Sequence, residues 1–222
     1  MPAFDTVYRD RDLLVVNKPA GVLSQASERG EEGLPEILAR ETGDAVYPVH
    51  RLDRETAGLL ALARSDKAAA SLSRAIREGA FRKEYLAVLT RSLPEKDGVL
   101  EDLLFFDRRQ GRSFPVKRER AGVRKARLRY ELIGEKEGLT LARVFPETGR
   151  THQIRVQFAV RGCPLLGDGR YGGGSGPLHL FCRALSFPHP RTEKALFLSA
   201  SPSGGQWSLF CGEIEALPGT AK

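Results

Sequence analysis

The stretch PVHRLDRETAGLLALAR, residues 48–64, places one carboxylate, Asp53, between two arginines and directly before an apolar run. Arg51 and Arg54 favour the ionised form of that carboxylate, whereas burial beside the neighbouring leucines disfavours it. Such opposed influences are typical of a carboxylate that takes part in chemistry, although a structural ion pair at a strand end would show them too. The apolar run over 58–63 predicts a buried strand, so Asp53 is expected in the loop that leads into it.

Strand and helix patterns continue on both sides of this stretch. Ser65 is a candidate N-cap and Gly79 a candidate C-terminal glycine for the helix between them. Short strands with helices inserted unevenly predict an α+β fold with a mainly antiparallel, mixed β-sheet and flanking helices and loops. Further strands are predicted over 13–16, 81–90, 125–132, 139–145, 181–187 and 195–199, further helices over 34–41 and 151–161, and a glycine-rich loop over 168–176.

Composition restricts the class of protein. The chain of 222 residues can bury a sizeable core, and no part of it approaches the apolar run of a membrane span or a signal peptide. The three cysteines are an odd number with irregular spacing, so neither a disulfide framework nor a zinc site is indicated and a reducing cytoplasm fits best. A monomer is the simplest assumption.

Basic residues are concentrated in one segment. The net charge of +7 and the pI near 9.5 favour polyanionic partners. Over 125–132 apolar and charged residues alternate, which predicts a strand with one core face and one basic face. A solvated strand face explains this cluster as readily as contact with the phosphates of a nucleic acid does. The residues in question are Lys117, Arg118, Arg120, Arg124, Lys125, Arg127 and Arg129.

Three segments together resemble the motifs of one enzyme family. HRLDRETAG over 50–58, RKEY over 82–85 and TGRTHQIRVQFAVRGCPLLGDGRYG over 148–172 are similar, in this order, to those of the RNA pseudouridine synthases that carry an HRLD motif and modify ribosomal and transfer RNA. The likeness extends over about residues 7–190. The resemblance implies that the chain isomerises specific uridines in structured RNA to pseudouridine without a cofactor or a metal.

The resemblance also assigns roles to single residues. Asp53 corresponds to the family's catalytic aspartate, Tyr85 to the tyrosine that stacks on the target base, and Arg155 to the arginine that pairs with the aspartate. LHLFCRALSFPHP, residues 178–190, resembles the closing motif in which leucines line the uracil pocket, which points to Leu185. Contacts with the substrate are further expected from Arg51, Arg54, Arg150 and His152.

Each of these residues also has a simpler interpretation. Tyr85 lies among apolar residues and can be a core aromatic, and Arg155 can be a surface charge. An arginine fork is nevertheless the natural partner of a carboxylate that must stay ionised. His50 and His152 lack a third ligand at metal spacing, so hydrogen bonds to backbone or RNA are the better interpretation.

The sequence therefore predicts one catalytic domain over 1–222, with a central RNA-binding cleft and no appended N-terminal RNA-binding domain. Two other functions are open at this point. A non-catalytic RNA-binding module would not need Asp53, and a nucleoside or glycoside hydrolase would need a second carboxylate, for which Glu55 is the nearest candidate. Neither explains the three linked motifs.

Overall fold

The computed structural model describes residues 4–28, 30–43 and 45–219. The chain divides into two compact units, and each is described by itself. The first unit takes the described residues of Met1–Lys83, Phe181–Pro202 and Pro218–Lys222, and the second takes Glu84–Leu180 and Ser203–Leu217.

The first unit is built on strands that pair in the order β1, β2, β4 and β10, with β3 on β4 and β11 on β10. The pairing of β4 with β10 is parallel, and the other pairs are antiparallel. Both β2 and β4 are almost entirely buried, which accounts for their continuous apolar sequences. The elements are β1 (Asp5–Arg9), β2 (Leu13–Lys18), α1 (Leu34–Thr42), β3 (Tyr47–Pro48), β4 (Ala57–Ala63), α2 (Asp66–Arg77), β10 (Leu180–Pro188, whose first residue belongs to the second unit) and β11 (Ala195–Ser199).

Local sequence signals set the limits of α2 and the start of β4. The Ser65 side chain accepts a hydrogen bond from the backbone N–H of Ala68, as an N-cap does, and Gly79 adopts a left-handed conformation just beyond the helix. Gly58 has φ 113°, and a Cβ atom there would lie 2.3 Å from the backbone oxygen of Cys182. The close parallel pairing of β4 and β10 therefore requires glycine at the end of the HRLDRETAG motif.

The second unit is an antiparallel sheet in the order β5, β9, β8, β6 and β7. In β8 the predicted alternation is confirmed: Ala126, Leu128 and Tyr130 are buried, while Lys125 and Arg129 are exposed. The elements are β5 (Arg82–Leu89, whose first two residues belong to the first unit), β6 (Asp97–Asp107), β7 (Arg112–Val116), β8 (Val123–Lys136), β9 (Leu139–Pro146), α3 (Gln153–Ala159), a 3-10 helix (Gly205–Phe210) and α4 (Cys211–Glu215).

The predicted α+β class with a mainly antiparallel, mixed sheet is confirmed. One detail of the prediction was wrong. The helix expected over 151–161 covers only Gln153–Ala159, because His152 has φ 54° and cannot belong to a right-handed helix. Near the C-terminus α4 forms, and its Ile214 packs with Phe210 against the sheet. The last three residues lie outside the described part of the chain. The single catalytic domain and its central cleft stay predictions.

Candidate active site

The loop that carries Asp53 is fixed on both sides of that residue. On one side, the Ser24 hydroxyl donates to the Leu52 carbonyl at 2.9 Å and accepts from the Leu52 N–H at 3.0 Å. On the other side, the Gly21 N–H donates to the Arg54 carbonyl at 2.8 Å, and the Arg54 Nε donates back to Gly21 at 3.0 Å. Asp53 itself is half-buried. The hydrogen bonds of Leu52 and Arg54 hold the backbone on both sides of it in place.

The buried side chain of Lys18 forms a further hydrogen bond to the same loop, at Arg54. Lys18 at the end of β2 has no exposed surface, and its ammonium donates to the carbonyls of Pro19, Val22 and Arg54 at 2.9, 2.8 and 3.4 Å. Burial lowers the pKa of Lys18 to about 8, while the negative charge of Asp53, and then that of Glu55, opposes this shift. Lys18 thus supplies positive charge that interacts with Asp53, and the sequence alone carries no signal for this role.

In the second unit, Arg155 forms a buried ion pair with Asp168. The Nε and Nη2 atoms of Arg155 donate to the two carboxylate oxygens of Asp168 at 2.7 and 2.8 Å. The two side chains are only 3% and 0% exposed. The alternative that Arg155 is an ordinary surface charge is therefore wrong. A two-pronged contact of this kind fixes the plane of the guanidinium.

Two aromatic rings complete the surroundings of Arg155. The Arg155 guanidinium lies 5.4 Å from the ring centre of Tyr171, and the Tyr171 hydroxyl contacts His152 Nδ1 at 3.0 Å. Tyr171 is held by its own N–H, which donates to Asp168, and by a hydrogen bond from the Ser113 N–H to its hydroxyl. Asp168 and Tyr171 belong to the segment GDGRYG, for which the sequence predicts a loop. Its position in the third motif is the signal that points to a role in the site.

The remaining predicted site residues have varied environments. Tyr85 on β5 is 6% exposed and Leu185 on β10 is fully buried, so solvent hardly reaches Tyr85 and does not reach Leu185 in this structure. Arg51 is exposed, and Arg54 is exposed but paired with Glu31 at 3.2 Å. Arg150 donates to the carbonyl of Lys125 at 2.9 Å.

These residues fall into two groups. Asp53, Arg51, Arg54 and Leu185 lie in the first unit, and Tyr85, Arg150, His152, Arg155 and the basic segment lie in the second. Within the second unit, Arg155, His152 and Tyr171 are brought together. The pairing of Arg155 with Asp53 stays a prediction.

The seven basic residues divide into two classes. Arg127 is paired with Glu101 at 2.5 Å and with Glu147, and Arg129 is paired with Glu131 at 3.0 Å. Lys125 has a longer contact with Glu119, at 3.5 Å. Four others form no ion pair with any residue of the described chain, and they are Lys117, Arg118, Arg120 and Arg124.

His50 and the cluster of Asp10, Asp12 and His189 form hydrogen bonds and ion pairs within the protein. His50 Nε2 accepts the Ala61 N–H at 3.0 Å inside the first unit. Asp10, Asp12 and His189 have ligand-type atoms within 4.8 Å of one another. However, Asp12 is paired with Arg191, and the His189 Nε2 atom contacts Asp10 at 2.7 Å. The ligand-type atoms of Asp10, Asp12 and His189 are thus engaged within the protein, and His50, whose Nδ1 atom has no hydrogen-bond partner among the described residues, does not belong to that cluster. No helix within residues 4–28, 30–43 and 45–219 is long and apolar enough to cross a membrane.

Comparison with known families gives a consistent result. Residues 12–160 match the sequence profile of the family described as RNA pseudouridylate synthase. The chain is 33% identical over 208 residues to an uncharacterised RNA pseudouridine synthase, YhcT, of Bacillus subtilis, covering 88% of this chain and 68% of that protein. It is 32% identical over 192 residues to the dual-specificity RNA pseudouridine synthase RluA of Yersinia pestis, covering 83% and 92%.

The fold comparison agrees with the sequence comparison. Human RNA pseudouridylate synthase domain containing 4 superposes with a TM-score of 0.75 at 22% identity, covering 95% of this chain and 93% of that one. Human RNA pseudouridylate synthase domain containing 1 gives a TM-score of 0.73, also at 22% identity, with 98% and 97% covered.

Proposed function

The chain belongs to the RNA pseudouridylate synthase family and is therefore an isomerase that acts on RNA, and we propose that Asp53 is the residue with which it converts specific uridines of ribosomal or transfer RNA to pseudouridine. The observation that carries this proposal is the position of Asp53. It is the half-buried carboxylate of the HRLD motif. Hydrogen bonds to Leu52 and Arg54 hold its loop on both sides, and the buried ammonium group of Lys18 contacts the Arg54 carbonyl. A rigid support of this kind is what a group that must attack one sugar atom requires.

The reaction breaks the N1–C1′ bond of uridine and forms a C5–C1′ bond to the same ribose. The uracil C5 loses a proton, N1 gains one, and no electron donor or acceptor takes part. Asp53 either adds to C1′, as a glycosidase nucleophile does, or removes the C2′ proton to give a glycal. In both routes one carboxylate suffices, because the departing uracil anion is delocalised and stays in the site. The reaction as proposed needs no cofactor.

The other residues are proposed to prepare the substrate. Arg155 holds Asp53 ionised, Tyr85 stacks on the detached uracil, and Leu185 contributes an apolar wall that excludes water. His152, Arg150, Arg51 and Arg54 contact the RNA around the target. The target uridine must leave its stack, at a cost of about a few kcal/mol when it is paired. Contacts between basic residues and phosphates offset this cost. We place this activity in the cytoplasm and assume a monomer.

Substitution of Asp53 tests the proposal. Asp53→Asn keeps the shape of the side chain and removes its charge, so we expect pseudouridine formation to fall below detection while RNA affinity stays near that of the parent. The measurement is pseudouridine mapping in total RNA from cells that lack the gene, after incubation with each protein. Asp66→Asn, an exposed carboxylate at the start of α2, is the matched control and is expected to keep full activity.

Pseudouridine at the parental rate with Asp53→Asn would show that the assigned role is wrong. Release of free uracil by the parent would instead indicate a hydrolase. The same mapping identifies the uridine that is modified.

A further inference from the structure

An exposed aromatic ring extends the face of the sheet that carries Arg155. Leu104 on β6 is buried in a core cluster with Val156 of α3 and Tyr171. Phe106 lies two residues further along the same strand and therefore on the same face, beyond the part that α3 covers. Its side chain is 37% exposed, an unusual position for phenylalanine.

The ring of Phe106 is held in a defined position. It meets the ring of His152 edge to face, with centres 6.2 Å apart and planes at 89°. Its strand partner on β7 is Ser113, whose hydroxyl donates to the Thr151 carbonyl at 2.6 Å. The strand that carries the ring is therefore fixed, through Ser113, to the residues just before α3. Ring contacts run from Phe106 to His152, from His152 to Tyr171, and from Tyr171 to the Arg155 guanidinium.

The turn that follows Phe106 is strongly basic. Four arginines of this turn and its surroundings form no ion pair with any residue in the described part of the chain, and they are Arg108, Arg109, Arg112 and Arg170. The single carboxylate in the turn, Asp107, accepts hydrogen bonds from the backbone N–H groups of Arg109 and Gln110 at 2.8 and 3.2 Å. Its single negative charge, which interacts with Arg109, offsets no more than one of the four positive charges, so the turn and its surroundings keep a net positive charge.

An aromatic face next to uncompensated cations is the arrangement with which proteins bind unpaired nucleotides. We propose that Phe106 is a stacking platform for an unpaired base that neighbours the target uridine, with the arginines of the turn on the flanking phosphates. This proposal rests on the proposed function and specifies its substrate: the target lies in a loop or another unpaired segment. A base in a continuous duplex could not stack on Phe106.

The test measures whether Phe106 and one base of the RNA act together. The probe is a short RNA hairpin with a single uridine in an adenine loop, in which each loop base is removed in turn to leave an abasic ribose. Binding is followed by fluorescence anisotropy for the parent, Phe106→Ala, Phe106→Trp and Val99→Ala. Val99 is a matched control, because it is a 46% exposed apolar residue on the same strand.

We expect Phe106→Ala to weaken binding by about 5-fold to 150-fold, the range for loss of one base–aromatic stack. Phe106→Trp is expected to retain affinity, and Val99→Ala to bind as the parent does. One abasic position should weaken binding to the parent by a similar factor and have no further effect on Phe106→Ala. Equal melting temperatures of the variants exclude unfolding as the cause.

Two results would overturn the platform: Phe106→Ala binding as Val99→Ala does, or abasic effects that are unchanged in Phe106→Ala. If the parent still forms pseudouridine in that case, the proposed function stands without the platform. If one abasic position weakens binding to the parent but not to Phe106→Ala, and the parent forms no pseudouridine, Phe106 is a stacking platform and the proposed reaction is wrong.

Discussion

At the scale of single residues, the central contact is the buried ion pair between Asp168 and Arg155. Its carboxylate neutralises a buried guanidinium and fixes the orientation of that group through two hydrogen bonds. Removing one partner of a buried ion pair leaves the other charge uncompensated, which costs about 3–5 kcal/mol. We therefore expect Asp168→Asn to lower the free energy of unfolding by about that amount and to reduce kcat more than it raises KM.

The comparison variant is Glu32→Gln, which breaks the exposed ion pair with Arg40 at 2.6 Å. It is expected to cost about 1 kcal/mol or less. Urea unfolding at one pH compares the two variants. If Asp168→Asn is as stable as Glu32→Gln, the buried pair with Arg155 does not stabilise the fold as expected.

At the scale of elements, the sequence predicted what is encoded locally. The strand over 58–63 and the helix after Ser65 follow from a continuous apolar run and from a capping residue, and both are found. The strands β6 and β7 were missed because they are partly exposed and lack clear alternation. The contact between Arg155 and Asp168 was not predicted, since tertiary folding and not spacing along one helix brings Asp168 to Arg155; the shared third motif was the only signal for it.

The basic segment shows the same limit and leads to a prediction. Charge density alone cannot distinguish arginines that are paired with carboxylates across the sheet from those that are not. Arg120 and Arg124 form no ion pair with any residue that the structure describes, whereas Glu131 engages Arg129. We expect Arg120→Gln or Arg124→Gln to lower the salt dependence of RNA affinity by about 0.7–0.9 in the slope of log K against log salt.

Arg129→Gln is the matched control for this experiment. It is expected to leave the slope nearly unchanged, because the positive charge it removes is already compensated within the protein. Titrations of the same RNA at several salt concentrations give the three slopes. Equal slopes for the three variants would show that internal pairing does not decide which arginines contact phosphate.

At the scale of the whole molecule, stability in acid depends on a buried histidine. His50 accepts a hydrogen bond from the Ala61 N–H through Nε2, and its Nδ1 atom has no partner among the described residues. The ring lies 5.2 Å from that of Phe81, which is stacked on Phe187 at 4.6 Å. Burial, together with the positive charge of Lys83, lowers the pKa of His50 to about 3 from an ordinary 6.5.

The direction of the pH effect follows from this shift. Between pH 6.5 and pH 3 the unfolded chain binds a proton at His50 that the folded chain does not. The free energy of unfolding therefore falls as the pH is lowered through this range, by up to about 1.4 kcal/mol per pH unit from this group. His50→Gln keeps an acceptor for the Ala61 N–H but cannot titrate, so this contribution should be absent from it.

Urea unfolding of the parent and of His50→Gln, followed by circular dichroism at neutral pH and about two units below pH 6.5, measures the difference between them. We expect that difference to move in favour of His50→Gln by about 2–3 kcal/mol on acidification. Carboxylates that titrate in the same range are common to both proteins and cancel in the comparison. A difference that is independent of pH would mean that the buried ring accepts a proton in the folded state, and the packing of the loop before Asp53 would then have to tolerate a charge.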